Sequence, residues 1–177
     1  MNYLAHIFLS GDDRRVQIGN FVGDAVKGRT YENYPSGFRE GILLHREIDD
    51  YTDHHPVVRE AIDMLRGDFG RYSGRSLRWF ACSFYGALVL NYRYLPERFK
   101  GFLWHFILTN RLVRYASLSG IKRSLEIMVE YKNLGVDPEA AIVFFERNQD
   151  RLQELFDRFL PDVQEKCRLM LEADISC

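Results

Sequence analysis

One short segment of the chain carries residue types that could hold a divalent metal. His45, Asp49 and Asp53 follow one another at intervals of four residues. Because an α-helix has about 3.6 residues per turn, this spacing predicts three side chains along one slowly drifting stripe. One imidazole and two carboxylates suit Mn²⁺ or Fe²⁺, and such a metal polarises a phosphoryl oxygen. The alternative is an ordinary acidic surface with His45 hydrogen-bonded at its edge.

Two more candidate groups precede this segment. Asn20 and Asp24 are also four residues apart, and apolar residues surround Asp24. A carboxylate in such surroundings needs a partner, such as Lys27, an arginine or a metal ion. His6 lies in a short apolar run, where a lone histidine is either a hydrogen-bonded core residue or a ligand.

Helical patterns dominate the elements that must position these groups. The apolar spacing and the prolines predict an all-α, single-domain bundle of about seven helices over residues 1–177. Pro56 marks the boundary between two of them, and Pro161 predicts a kink or a break in the last. The prediction is a first helical turn or two at 2–9, followed by helices at 14–27, 35–54, from 56, 77–94, 96–109, 121–131 and 138–172.

Composition and charge exclude several classes of function. The formal net charge is -1, so the chain as a whole has no bias toward nucleic acid or an anionic membrane. The three cysteines are scattered, which argues against a disulfide framework or a zinc knuckle. No charge-free apolar stretch is long enough to cross a membrane. These features predict a cytoplasmic protein with reduced cysteines.

The average charge hides a basic middle segment. Between Arg59 and Arg123 there are twelve Lys or Arg residues but only four Asp or Glu residues. Such a segment could receive an acidic partner, and solvated helix faces are the alternative. The cations singled out as candidate partner contacts, here and in the flanking motifs, are Lys27, Arg46, Arg59 and Arg71.

Taken together, these motifs resemble one family. Their order and spacing over the first third of the chain are similar to those of the acyl carrier protein phosphodiesterases, a group of metal-dependent phosphohydrolases. The motifs that carry the resemblance are Met1–His6, Gly19-Asn20 with Asp24, Lys27-Gly28, His45-Arg46 with Ile48-Asp49, Thr52-Asp53 with His55-Pro56, and Tyr72-Ser73-Gly74.

The resemblance implies a fold, a reaction and a set of site residues. The fold would be all-α and related to the HD-type phosphohydrolases. The reaction would cleave the phosphodiester between 4'-phosphopantetheine and a serine of acyl carrier protein, with Mn as the expected metal and Mg or Fe as alternatives. The implied metal ligands are His6, Asp24, His45 and Asp49. The implied catalytic residues are Asp24, His45, Asp49 and Asp53, with Asn20, Thr52 and His55 orienting them.

The sequence departs from the family after Gly74. Family members have an adjacent Asp-His pair in a helix that follows this motif. An ungapped alignment places Cys82-Ser83 at that pair. A gapped alignment, which we prefer, implies that about five helical turns are missing. Both alignments remove the pair.

This departure keeps other functions open. Loss of two ligands predicts weaker metal binding and reduced turnover, which favours a non-catalytic member that binds carrier protein or a phosphate ligand. An HD-type phosphohydrolase of a small nucleotide or phosphoester is a further alternative. Loss of a helix should also bare an apolar groove, which predicts a homodimer.

Overall fold

The computed structural model of the chain describes residues 3–65, 83–114, 117–132 and 137–174. Over these residues the protein is all-α and has no strand. The ten helices are α1 (Tyr3–Phe8), α2 (Arg14–Val22), α3 (Phe38–His54), α4 (Pro56–Leu65), α5 (residues 83–90), α6 (Glu97–Leu108), α7 (Arg111–Arg114), α8 (Leu118–Lys132), α9 (Pro138–Arg147) and α10 (Gln149–Asp174). Short 3₁₀ turns occur at Gly23–Ala25, Thr30–Asn33 and Tyr92–Tyr94.

The predicted fold class is confirmed, but the predicted number of about seven helices is too low. Two of the additional helices arise because α7 is a single short turn and the last predicted helix is divided. The predicted helix 14–27 ends as an α-helix at Val22 and continues as a 3₁₀ turn. The helix predicted from Pro35 begins at Phe38. The relationship to HD-type proteins and the extent of the domain over 1–177 stay predictions.

The sequence predicted a kink or a break at Pro161, and no break occurs at that residue. Helix α10 runs continuously through Pro161, and the division lies at Asn148, between α9 and α10. Proline removes one backbone donor. Here Pro161 is exposed while Phe159 and Val163 on either side are buried, so packing of the flanking residues stabilises the helix across the missing hydrogen bond.

Helix α3 lies between two hydrophobic clusters. Its residues Phe38 and Ile42 belong to a first cluster with α1, α2 and the helices of residues 83–112. Its residues Leu44 and Ile48 belong to a second cluster with α4 and α10. Helix α3 therefore packs on both clusters, and His45 is among its buried residues.

Part of the sequence prediction falls outside the described residues. Arg71, the Tyr72-Ser73-Gly74 motif and Cys82 lie there. Within the described residues, no helix is long and apolar enough to cross a membrane.

Candidate metal centre

Three side chains from two helices converge in the interior. His6 comes from α1, and His45 and Asp49 lie one turn apart on α3. His6 Nε2 lies 3.2 Å from Asp49 Oδ1, and His45 Nε2 lies 3.3 Å from Asp49 Oδ2. One ligand atom from each residue falls within 4.8 Å of the others. We call these three residues the His-His-Asp cluster.

Asn20 on α2 connects the two histidines. Its backbone oxygen lies 2.8 Å from His45 Nδ1. Because a carbonyl oxygen can only accept, Nδ1 carries the proton and Nε2 keeps its lone pair. The Asn20 side-chain Nδ2 donates to the His6 carbonyl oxygen at 3.0 Å and to Ser10 Oγ at 2.8 Å. One residue therefore fixes the His45 tautomer and the backbone position of His6.

Burial sets the charge states in the cluster. Burial and the neighbouring His6 lower the pKa of His45 to about 4, so its imidazole is neutral near neutral pH. Burial alone would raise the pKa of Asp49, but its contacts, among them the one with His6, hold that pKa well below its usual range. The cluster thus presents a neutral imidazole and a carboxylate, which are the forms that bind metals.

The chemistry of these donors fits a divalent metal. His6 is 1% exposed, and neither of its ring nitrogens makes a hydrogen bond of good geometry among the described residues, although its Nε2 lies 3.2 Å from the Asp49 carboxylate. A buried polar group without a partner is costly. Two nitrogens and one carboxylate within 4.8 Å form a ligand set used for Mn, Fe and Zn. A metal bound by all three would satisfy His6.

Asp24 lies beside the cluster rather than in it. It occupies the 3₁₀ turn after α2, its side chain is 64% exposed, and its Oδ1 lies 3.8 Å from Lys27 Nζ. Burial and His6 lower the pKa of His45, and the charges of Asp49 and Asp24 act against that shift. The prediction that Asp24 is a ligand remains untested, and the described residues give a three-residue cluster without it.

Two other predicted residues lie farther along α3. Asp53 is exposed and is not a member of the cluster. Thr52 is partly buried, and its Oγ1 is buried with no hydrogen-bond partner among the described residues. This hydroxyl is therefore available for the predicted role of Thr52, which is to orient a metal ligand.

His55 faces another part of the protein. Its Nδ1 accepts from the Val57 backbone N–H at 3.3 Å, so the proton is on Nε2, which lies 3.2 Å from Asp162 Oδ2. Its ring packs edge-on against Phe159. These contacts join the α3–α4 corner to α10. None of them is with the His-His-Asp cluster, so they give no support to the predicted orienting role of His55.

The predicted partner cations are dispersed. Lys27 is exposed beside Asp24, and Arg59 is exposed on α4. Arg46 is instead hydrogen-bonded to the backbone at Val26 and Gly28. Their role in partner binding stays a prediction.

Two contributors were not found from the sequence. Ser10 donates its hydroxyl to the His6 carbonyl oxygen at 2.8 Å. Gly23 packs so closely on His45 that an added Cβ would lie 2.5 Å from the His45 Cβ and Cγ. Ser10 follows the end of the first predicted helix, where a serine usually indicates capping, whereas Gly23 lies inside the predicted helix 14–27, so neither was assigned to the site.

Comparison with known proteins identifies the family of the chain. The model of the family described as acyl carrier protein phosphodiesterase matches residues 1–77 and 64–163. The chain belongs to this family. A Yersinia pestis protein named acyl carrier protein phosphodiesterase is 26% identical over 189 residues, covering 95% of this chain and 98% of that protein. A Photorhabdus laumondii protein of the same name is 28% identical over 190 residues, covering 94% of each. A shorter match, to the protein so named in Salmonella agona, is 39% identical over 77 residues, with 44% of this chain and 40% of that protein covered. No solved structure matches.

The matches also bear on the missing segment. The two long matches extend over 189 and 190 positions, although this chain has 177 residues. These relatives therefore contain positions that have no counterpart here. The family model matches in two pieces that meet within residues 64–77, next to the place where the sequence predicts the deletion.

Proposed function

We propose that this chain is a metal-dependent phosphodiesterase that releases 4'-phosphopantetheine from holo-acyl carrier protein. The observation that carries the proposal is the His-His-Asp cluster, in which both histidines are buried and the carboxylate is partly exposed. It stands in a chain of the acyl carrier protein phosphodiesterase family, and the relatives with that name cover nearly all of it. The candidate metal ligands and the name of the family both support metal-assisted cleavage of a phosphodiester.

The proposed metal ligands are His6, His45 and Asp49. A divalent metal held by them would make a bound water more acidic and would polarise a phosphoryl oxygen. Manganese is the proposed ion, because it accepts both imidazole and carboxylate ligands. Asn20 would keep His45 Nε2 directed to the cluster, since its carbonyl oxygen accepts from Nδ1. Asp24 and Asp53, which are outside the His-His-Asp cluster, remain proposed catalytic carboxylates.

The proposed reaction adds water across one ester bond. The oxygen of water forms a bond to phosphorus, and the bond from phosphorus to the serine oxygen breaks. The serine oxygen takes up a proton, so the products are apo-acyl carrier protein and 4'-phosphopantetheine. Asp49, whose pKa is held low, would stay ionised throughout and keep its contacts with both Nε2 atoms.

The test is hydrolysis of purified holo-acyl carrier protein with added Mn²⁺, followed by intact-mass measurement of the carrier. The proposal expects loss of the phosphopantetheine mass with the wild-type chain and no loss with Asp49→Ala. Asp50→Ala is the matched control, because Asp50 is the neighbouring exposed carboxylate on α3 and contacts His54. An unchanged carrier mass with folded, metal-supplied wild-type protein would refute hydrolysis.

One observation favours a second candidate function. The described residues supply three metal-binding groups, and the long relatives contain positions that this chain lacks. A family member that binds holo-acyl carrier protein without hydrolysing it would fit both facts. Binding of the holo-carrier without loss of its prosthetic group would establish this second function.

The remaining predictions concern partners and location. Acyl carrier protein is the proposed macromolecular partner. A homodimer and a cytoplasmic location stay predictions from the sequence, and a light-scattering mass would test the first of them.

A further inference from the structure

Arg46 uses its guanidinium within the protein. It follows His45 on α3, and its Nη2 donates to the Val26 carbonyl oxygen at 3.0 Å and to the Gly28 carbonyl oxygen at 2.7 Å. The guanidinium carbon also lies 5.1 Å from the ring centroid of Tyr31. An arginine with these contacts fixes its neighbours because its planar fork is rigid.

The acceptors lie in the α2–α3 loop, which we define as residues 23–37. Gly28 has φ +56, a left-handed conformation that other residues adopt at a cost. Thr30 donates from its backbone N–H and its hydroxyl to the Lys27 carbonyl oxygen, at 3.3 and 2.6 Å. Val26 is 4% exposed and packs in the first cluster. The first half of this loop therefore has one defined conformation, with Lys27 on its outer side.

This loop borders the His-His-Asp cluster. Gly23 at its start lies against the His45 side chain, and the next residue, Asp24, pairs with Lys27. Lys27 is 79% exposed. The loop therefore presents one accessible ammonium group beside the cluster.

We propose that Arg46 is a positioning residue that holds the α2–α3 loop. In this position of the loop, the Lys27 ammonium group contacts the negatively charged phosphodiester of the substrate. This inference rests on the proposed function. It replaces the prediction that Arg46 contacts a partner directly. Arg46 acts through the loop, and Lys27 touches the substrate.

The first test measures whether Arg46 holds the loop. Hydrogen exchange of the amides of residues 24–30 should be about tenfold faster in Arg46→Ala, because the loop loses two charge-assisted hydrogen bonds. Arg46→Lys should give intermediate rates. Arg168→Ala is the matched control, since Arg168 is hydrogen-bonded to Glu165 and Glu172 on α10 and should leave these amides unchanged. Equal exchange in Arg46→Ala and wild type would overturn the proposal.

The second test measures whether the held loop acts through Lys27. We expect Arg46→Ala and Lys27→Ala each to weaken apparent affinity for holo-acyl carrier protein about fivefold. The double variant should be no weaker than either single one, because both changes remove the same contact. If the wild-type protein hydrolyses the holo-carrier, KM is the measure of apparent affinity. If it binds the holo-carrier without hydrolysis, Kd is the measure. Apo-acyl carrier protein, which lacks the phosphodiester, should bind all variants equally.

The outcomes separate this inference from the proposed function. Wild type that neither binds nor hydrolyses the holo-carrier would refute both. Wild type that does so, with additive effects of the two substitutions or with equal losses for apo-carrier, would refute this inference alone. Mn²⁺ affinity measured by calorimetry should be the same in Arg46→Ala and wild type. Loss of metal binding in Arg46→Ala would instead indicate a general structural role and would also refute it.

Discussion

The imidazole rings of His6 and His45 stack with centroids 4.1 Å apart and an angle of 18° between their planes. Two cationic rings would repel each other at this distance, so the arrangement requires that at least one is neutral. Burial and His6 both lower the pKa of His45 to about 4, so His45 is neutral near neutral pH. The carboxylate of Asp49 contacts both Nε2 atoms. The stacked rings therefore both direct their Nε2 atoms at the carboxylate of Asp49.

Asp49 should be indispensable for metal binding, whereas Asp53 should not. Both are carboxylates of α3, one turn apart, but only Asp49 belongs to the cluster. We expect Asp49→Ala to weaken Mn²⁺ affinity by about a hundredfold or more, since a direct ligand matters at least as much as the groups that orient it. Asp53→Ala should change it less than about threefold. Calorimetric titration of both variants decides this, and equal losses would contradict the geometry.

Gly23 should tolerate no side chain. A Cβ there would lie 2.5 Å from the His45 Cβ, an atom that cannot move without displacing helix α3 or the ring. We expect Gly23→Ala to cost about 1–3 kcal/mol of stability and to weaken Mn²⁺ binding. Gly101→Ala is the control, because nothing lies within 4 Å of that Cβ position in α6. It should be neutral or stabilising by up to about 1 kcal/mol. Thermal unfolding with matching losses in both variants would exclude the clash.

Cys167 should make stability fall at alkaline pH. It is 3% exposed, and burial raises the pKa of its thiol to about 12. The folded state therefore keeps the proton after the unfolded chain has released it, so stability is lost as pH rises above the ordinary pKa. One pH unit above that value the loss is about 1.4 kcal/mol. Urea unfolding at about pH 8 and about pH 10 should show a smaller loss in Cys167→Ala. Parallel losses would show that the thiol is not responsible.

The spacing of residues predicted the part of the site that lies within one helix. His45 and Asp49 are one turn apart, so any α3 that includes both brings them together. Asp53 is eight residues from His45, which is about 80° of rotation away on a helix with 3.6 residues per turn. That drift explains why Asp53 is exposed and outside the cluster.

The remaining features depend on contacts between elements. The approach of α1, which brings His6 to α3, is a tertiary contact, and only the resemblance to a family indicated it. Arg46 is one residue beyond His45 and thus about 100° around the helix, which turns it away from the cluster to the α2–α3 loop. The division at Asn148 instead of Pro161 likewise reflects the packing of Phe159 and Val163. The helix propensities of the individual residues do not predict these contacts between elements.

His55 should matter for stability and not for the metal. Its Nε2–H meets Asp162 on α10, and its ring packs against Phe159. We expect Asp162→Ala to cost about 1 kcal/mol, since the imidazole loses its acceptor at a site that water partly reaches. His55→Ala should cost about 2 kcal/mol or more, because it also leaves a cavity in the second cluster. Neither variant should change Mn²⁺ affinity.

Asn20→Ala provides the contrasting variant for that experiment. It removes the two hydrogen bonds to the His6 carbonyl oxygen and Ser10 Oγ, so it should weaken Mn²⁺ binding about tenfold. Calorimetry and urea unfolding on these variants would then separate two kinds of histidine. If His55→Ala lowered metal affinity as much as Asn20→Ala, the sequence-based assignment of His55 to the site would be correct, and its contact with Asp162 would be incidental. Because Nδ1 of His55 already accepts from the Val57 N–H and Nε2 donates to Asp162, both ring nitrogens are occupied, and we expect the metal affinity to stay unchanged.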